Sequence, residues 1–380
     1  MSRKPEQDAD IPEPDALDGA PHPRHTAALF GQQQAERAFL DAHTGGRLHH
    51  AWMLTGPRGV GKATLAWRIA RFLLTLPDDE GGLFAPPAPP ESLDTDPDHP
   101  VIRRMAALAE PRLFLCRRPW DDKARRLKQA ITVDEVRRLK SFFALSAADG
   151  GRRVAIIDAA DEMNNAAANA LLKILEEPPA RVTLLLVAHQ PMRLLPTIRS
   201  RCRTLACAPL SPDDLARAMS AAGFAPEGDV SALGALAGGS AGEAIRLMAG
   251  DGVAIYAALL DMLAARPRAD RPAMIRLAES CTGKGNEARY DLVLRLIDIL
   301  LHRLALTGAS GAPTPAVTAD EGEILSRLSP DLPAARRWAE TATLLAERSS
   351  HGRAVNLDPA AVILDMLLKI DQTAAPLRAA

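Results

Sequence analysis

A glycine loop set between a strand and a helix constrains this chain more than any other feature. Ala51–Leu54 is a short apolar run, Gly56-Pro-Arg-Gly-Val-Gly61-Lys62-Ala63 follows it, and Lys62–Leu74 repeats apolar residues at helical spacing. In that context backbone N–H groups can curl around phosphate oxygens at a helix N-terminus. Gly56, Gly59 and Gly61 give the loop its freedom, and Lys62 adds a positive charge. Ala63 stands where the full pattern has the Ser or Thr that holds Mg²⁺. Thr64 comes one residue later, about 100° around the helix, so it is not an obvious substitute. Whether such a loop still binds ATP stays open at this stage.

The chain around the loop alternates strand and helix. Val154–Ile157 reads as a buried strand ending in Asp158, Asn165–Glu177 as a helix stopped by Pro178-Pro179, and Val182–Val187 as another buried strand. Leu205–Pro209 closes the domain, and Val133–Leu145 is an amphipathic helix. Continuous apolar strands between helices predict a mostly parallel sheet covered on both faces. After Leu210 no convincing strand remains, and helices such as Tyr290–Leu306 and Pro359–Ile370 dominate. The expected organisation is a disordered tail over 1–26, an α/β domain over 27–209 with a loop insertion at 77–100, a small helical lid over 210–250, and a helical region over 251–380.

Composition narrows the function. A net charge of −1 argues against a strong non-specific nucleic-acid binder. Charge is uneven, with 14 Lys/Arg against 6 Asp/Glu between Val101 and Arg153, which is read first as solvated helix faces. Cys116, Cys202, Cys207 and Cys281 are scattered without a C-x-x-C pair, as in a reducing cytosol, and supply no zinc site. With no signal-like start and no run of about 18 apolar residues, a cytoplasmic protein away from the membrane is expected.

An ATPase of this architecture ends an apolar strand in Asp-Glu, the Asp placing Mg²⁺ and the Glu orienting water. Here the strand ends Asp158-Ala159. Asp161 and Glu162 lie too far along, so hydrolysis by the chain alone is not expected. Asn169-Ala-Leu-Leu-Lys-Ile-Leu-Glu-Glu-Pro-Pro179, followed by a strand and Ser200-Arg201-Cys202, resembles the clamp-loader branch of the AAA+ proteins. Leu48-His-His-Ala-Trp52 and Ile131-Thr-Val-Asp-Glu-Val-Arg137 make it similar, within that branch, to the delta-prime family of bacterial DNA polymerase III. The likeness runs over about residues 28–250 and is only architectural beyond.

The resemblance implies an AAA+ sheet domain, a helical lid and a helical collar that carries oligomerisation. It also implies that Arg201, flanked by Ser200 and Cys202, is an arginine finger reaching the γ-phosphate of ATP in the adjacent subunit. Gly56, Gly59, Gly61, Lys62, Thr64 and Asp158 would form a degenerate nucleotide site where ATP binding is optional. The implied partners are gamma/tau and delta subunits, and through them the sliding clamp and primed DNA. Any polymerase label would belong to the holoenzyme. Two departures matter. Relatives with zinc carry four cysteines where this chain has only Cys116, and an Arg of the active lid is Gly242 here. His189 could face the site but is read as structural. The competing expectation is a working ATPase of the gamma/tau type, against which Ala63, Ala159 and Gly242 speak; a third, binding of duplex DNA through the Arg-rich stretch, would appear as a salt-dependent affinity.

Overall fold

Five short apolar runs build the central sheet: β1 (Ala51–Thr55), β2 (Leu113–Cys116), β3 (Arg153–Asp158), β4 (Val182–Ala188) and β5 (Arg203–Ala206). In the computed structural model, which describes residues 12–77, 90–145, 151–225, 230–265, 270–283 and 285–378, they lie in the order β2-β3-β4-β1-β5. All four pairings are parallel. Every residue of β3 and β4 is buried, as expected of strands covered on both faces.

The two covers follow the alternation of side chains along the strands. On one face Trp52, Leu54, Val154, Ile156, Leu185 and Val187 meet α1 (Gln33–Thr44), α2 (Lys62–Thr75) and α3 (Pro100–Ala106). On the other, Ala51, Met53, Ala155, Ile157, Leu184 and Leu186 meet α4 (Val133–Leu145) and α5 (Asn165–Glu176). α5 starts where Asn164 accepts the N–H of Ala167 at 2.8 Å, a side-chain cap on one of the helix's unpaired donors. A short α6 (Pro196–Arg199) leads into β5, which starts at Arg203 rather than at the Leu205 read from hydrophobicity. Neither β2 nor the small hairpin pairing Trp120–Asp121 with Arg126–Leu127 was expected.

The amino-terminal tail needs correction. Residues 1–11 lie outside the described residues, as do 78–89 of the expected 77–100 insertion. Residues 12–26, however, are packed. Arg117 pairs with Glu13 and Asp15, Asp15 lies 3.0 Å from His22, and His22 stands edge-on to Trp67 with ring centroids 6.0 Å apart. Arg71, buried on α2, donates to the carbonyls of Pro23, Arg24 and Thr26. A segment poor in apolar residues is thus held by charge pairs and by backbone acceptors, neither of which composition reports.

The chain divides into two compact units, Met1–Leu210 with Ser220–Gly223, and Ser211–Met219 with Phe224–Ala380. The lid, apart from Leu210 and Ser220–Gly223, and the helical region of the sequence reading both fall in the second. Its described residues contain helices and no strand: α7 (Pro212–Ala221) at its start, then α8 (Val230–Ala237), α9 (Ala241–Ala249), α10 (Gly252–Ala264), α11 (Arg271–Glu279), α12 (Glu287–Ser310), α13 (Glu321–Leu328), α14 (Leu332–Ala354) and α15 (Pro359–Arg378). α12 packs along α14, and α11 along α15. Within this unit Glu321 is almost wholly buried, yet it is satisfied. It accepts from Arg303 at 2.7 and 2.8 Å, from the Tyr256 hydroxyl at 2.6 Å and from the Val317 N–H at 2.6 Å. A buried ion pair with its remaining lone pairs filled is the tolerable kind.

Candidate functional site

The glycine loop leaves the carboxyl end of β1 and turns into α2 at Lys62. Gly56 has φ 135°, and a Cβ there would lie 2.2 Å from the Cys207 carbonyl oxygen. Only glycine lets the loop pass so close to the exit of β5. Buried Gln32 fixes the same junction. Its Nε2 donates to the carbonyls of Val60 at 3.0 Å and Ala208 at 2.8 Å, and its Oε1 accepts the Ala208 N–H at 3.0 Å. Sequence reasoning missed Gln32, because an isolated Gln before a helix carries no motif.

Lys62 is buried and turns back on its own loop, donating to Gly56 O at 2.7 Å and Pro57 O at 2.5 Å. Burial lowers its pKa to about 8, against the pull of Cys207, Asp158 and Asp161. Asp158 closes β3 in a buried position. Burial pushes its pKa up to about 7, with Asp15 and Glu162 adding to the rise and Lys62 and Arg58 opposing it. Burial and then the Lys62 charge bring His189 down to about 4, so its ring is neutral near pH 7. The structure therefore gathers Gly56, Gly59, Gly61, Lys62 and Asp158 at one sheet edge, with His189 beside them.

The carboxylates after Asp158 are already engaged. Asp161 accepts the backbone N–H groups of His189 and Gln190, each at 3.0 Å, and thereby ties down the end of β4. Glu162 pairs with Arg118 at 2.7 Å. Neither takes the place of a glutamate at Ala159, which is itself buried. The donors present fit a phosphate, since a glycine turn opens onto a helix N-terminus with a lysine. They fit Mg²⁺ poorly. Ala63 offers no side-chain oxygen, Thr64 is a half-buried neighbour on the first turn of α2, and Asp158 carries only part of its charge near pH 7. Among the described residues no group of three or more His, Cys, Asp or Glu is placed to hold a metal ion.

Arg201 lies at the opposite edge of the same sheet. In the parallel register Trp52 pairs with Arg203 and Thr55 with Ala206, so the residues before β5 sit at the amino ends of the strands. The side chain is 37% exposed. Its NH1 donates to the Thr197 carbonyl at 3.1 Å, and its NH2 lies 3.0 Å from Glu176 Oε1 at the end of α5. The Ser200 hydroxyl also donates to Thr197 O, at 3.1 Å. Burial raises the Cys202 thiol to about 12, which keeps it protonated and inert. The neighbouring arginines are occupied elsewhere. Arg199 contacts Met192 Sδ at 3.0 Å, and the Arg203 guanidinium lies 5.3 Å from the centre of the Trp52 ring. The contact with Glu176 was also missed, although the Glu-Glu-Pro-Pro run that contains it was in view.

This geometry defines a parallel α/β unit with a glycine loop at the carboxyl ends of its strands and an exposed Ser-Arg-Cys arginine at their amino ends. Residues 31–211 match the family described as "DNA polymerase III, delta subunit". DNA polymerase III subunit delta' of Pseudomonas aeruginosa is 38% identical over 199 residues, 51% of this chain and 54% of that protein. DNA polymerase III subunit gamma of Buchnera aphidicola subsp. Schizaphis graminum is 29% identical over 194 residues, 51% of this chain and 47% of that one. The chain thus spans about half the length of the curated relatives it matches. A solved structure, the Thermotoga maritima RuvB Holliday junction branch migration motor, aligns with a TM-score of 0.36 and 18% identity over 76% of this chain and 80% of that one. That superposition is too loose to add to the sheet topology. No single helix among the described residues is long and apolar enough to cross a membrane.

Proposed function

We propose that this chain is a delta-prime clamp-loader subunit that does not hydrolyse ATP itself and lends Arg201 to ATP bound in a neighbour. One observation carries the reading: the exposed arginine of Ser200-Arg201-Cys202 is in place, while Ala63 and Ala159 remove the two groups its own site needs. A guanidinium keeps its charge and can bond two phosphate oxygens at once, which suits the developing charge of phosphoryl transfer. Lys62 and the loop N–H groups can hold nucleotide phosphate as a structural ligand. With no glutamate after Asp158, no residue here orients a water.

The assembly implied is a complex with gamma/tau and delta subunits acting on a sliding clamp and primed DNA in the cytoplasm. The helical region 251–380 would carry most of its contacts. No zinc is required. The reading is tested by rebuilding such a complex with wild-type chain, Arg201→Ala, Arg199→Ala and Arg203→Ala, and measuring clamp- and DNA-stimulated ATP turnover. A loss confined to Arg201→Ala is expected. Wild-type turnover with Arg201→Ala, or equal loss with Arg203→Ala, places the finger elsewhere. The gamma/tau-type alternative predicts steady hydrolysis by the chain alone, which the same assay detects.

A further inference from the structure

The geometry points to Glu176 as the residue that positions Arg201, an inference that rests on the finger reading above. Arg201 ends in a guanidinium on a long flexible stem, and the cost of fixing such a side chain falls on whichever step needs it fixed. Two contacts fix it in advance. Thr197 O takes one N–H at 3.1 Å, and Glu176 Oε1 stands 3.0 Å from the other terminal nitrogen. These come from different elements, the first turn of α6 and the last turn of α5, so they define an orientation and not merely a tether. The guanidinium keeps further N–H groups for a phosphate.

The carboxylate is itself 49% exposed, so the pair faces solvent and is weak by itself. A weak pair suits this task. It narrows the rotamers of Arg201 yet can loosen when a stronger anion arrives. Glu176 touches neither nucleotide nor water in this scheme and acts only through Arg201. Its neighbour Glu177 closes α5 on the Lys173 carbonyl through its backbone and makes no such contact, so it serves as a control.

The experiment uses the complete chain within the rebuilt complex, at matched stoichiometry and after matched thermal midpoints. The quantity read is the share of stimulated ATP turnover that Arg201→Ala removes. Glu176→Ala should reduce that share about three- to fivefold, within what an exposed ion pair can supply, and should leave the KM for ATP unchanged. Glu176→Gln, which keeps an acceptor and loses the charge, should fall between the two, and Glu177→Ala should match wild type. Adding Glu176→Ala to Arg201→Ala should cost nothing further, because the positioning residue then has nothing to position. Unchanged or faster turnover with Glu176→Ala, or a double variant clearly slower than Arg201→Ala alone, overturns the assignment. If Arg201→Ala itself keeps full turnover, the finger reading fails instead, so the two failures are told apart.

Discussion

The two edges of one sheet treat charge in opposite ways. At the carboxyl edge Lys62 and Asp158 are buried, and burial drives both toward their neutral forms, with pKa values near 8 and 7. At the amino edge Arg201 and Glu176 stay in contact with solvent and with each other, 3.0 Å apart, and free to exchange partners. A site that turns over nucleotide needs charged groups poised for Mg²⁺ and water, and the first edge holds both of its charges against burial. A group that must meet another protein's ligand has to be exposed and oriented, and the second edge keeps both properties. On the proposed reading, loss of hydrolysis and a finger offered to a neighbour can coexist on one scaffold, because the sheet holds the two groups of residues at opposite ends of its strands.

The largest effect that can break this contrast is at Arg201. Arginine fingers contribute about 10³–10⁵ in rate at the site they serve. A complex with several ATP sites should lose only the share that depends on this chain, and clamp loading should fall further than ATP turnover. Arg201→Lys should recover little, since a point charge cannot reproduce the two-bond fork. Stimulated turnover and loading of labelled clamp, measured on the same preparations, check both statements.

The carboxyl edge gives a smaller effect with a definite pH sign. Asp158 binds its proton more tightly in the folded chain than in the unfolded one, because its pKa rises to about 7. Stability from this group is therefore full below about pH 4 and is lost as pH rises through 7. Asp158→Asn removes the penalty. It should stabilise the chain by about 4 kcal/mol at pH 8 and leave it nearly unchanged at pH 4. Urea midpoints at the two pH values test this, and equal gains at both would mean that the buried carboxylate is not the source.

How much of this was legible in the sequence depends on the kind of interaction. The loop, β3, β4 and the helices beside them were readable because their signals are local: glycines at fixed offsets, and apolar runs of strand length. Val133–Leu145 was read with the bounds the structure has, and Asn165–Glu177 overran by one residue. β2 was missed since Leu113–Cys116 is only four residues long and sits amid arginines. α14 falls within the region read as helical but was not singled out, because its buried face is made largely of small residues, Ala334, Ala335, Thr341 and Gly352, around Trp338 and Leu345, which blurs the helical period. The packed segment 12–26 and the bracing by Gln32 and Glu176 depend on partners as far away as Arg117 and Ala208, and no local pattern announces them. Only the fold shows how the Arg-rich stretch is paired. Arg104 and Arg112 share Glu110, Arg117 holds Glu13 and Asp15, and Arg118 holds Glu162, so much of its charge is already paired.

The smallest expected change in activity is none at all, and it tests the contrast from the other side. If the carboxyl edge had lost hydrolysis through Ala159 alone, Ala159→Glu should create turnover in the isolated chain. Three features oppose that. The new carboxylate would enter a buried position directly after Asp158, whose charge is already suppressed by burial and by Asp15 and Glu162. A further acid there raises the Asp158 pKa again and weakens the one group able to hold Mg²⁺. Ala63 still lacks the hydroxyl that completes the ion's shell, and Lys62 remains turned on the carbonyls of Gly56 and Pro57. Ala159→Glu, alone or with Ala63→Thr, should therefore hydrolyse ATP no faster than wild type, and its midpoint should drop more at pH 8 than at pH 5. Steady turnover by Ala159→Glu alone would mean that the site is one residue from an active ATPase and that the two edges differ far less than their charges suggest.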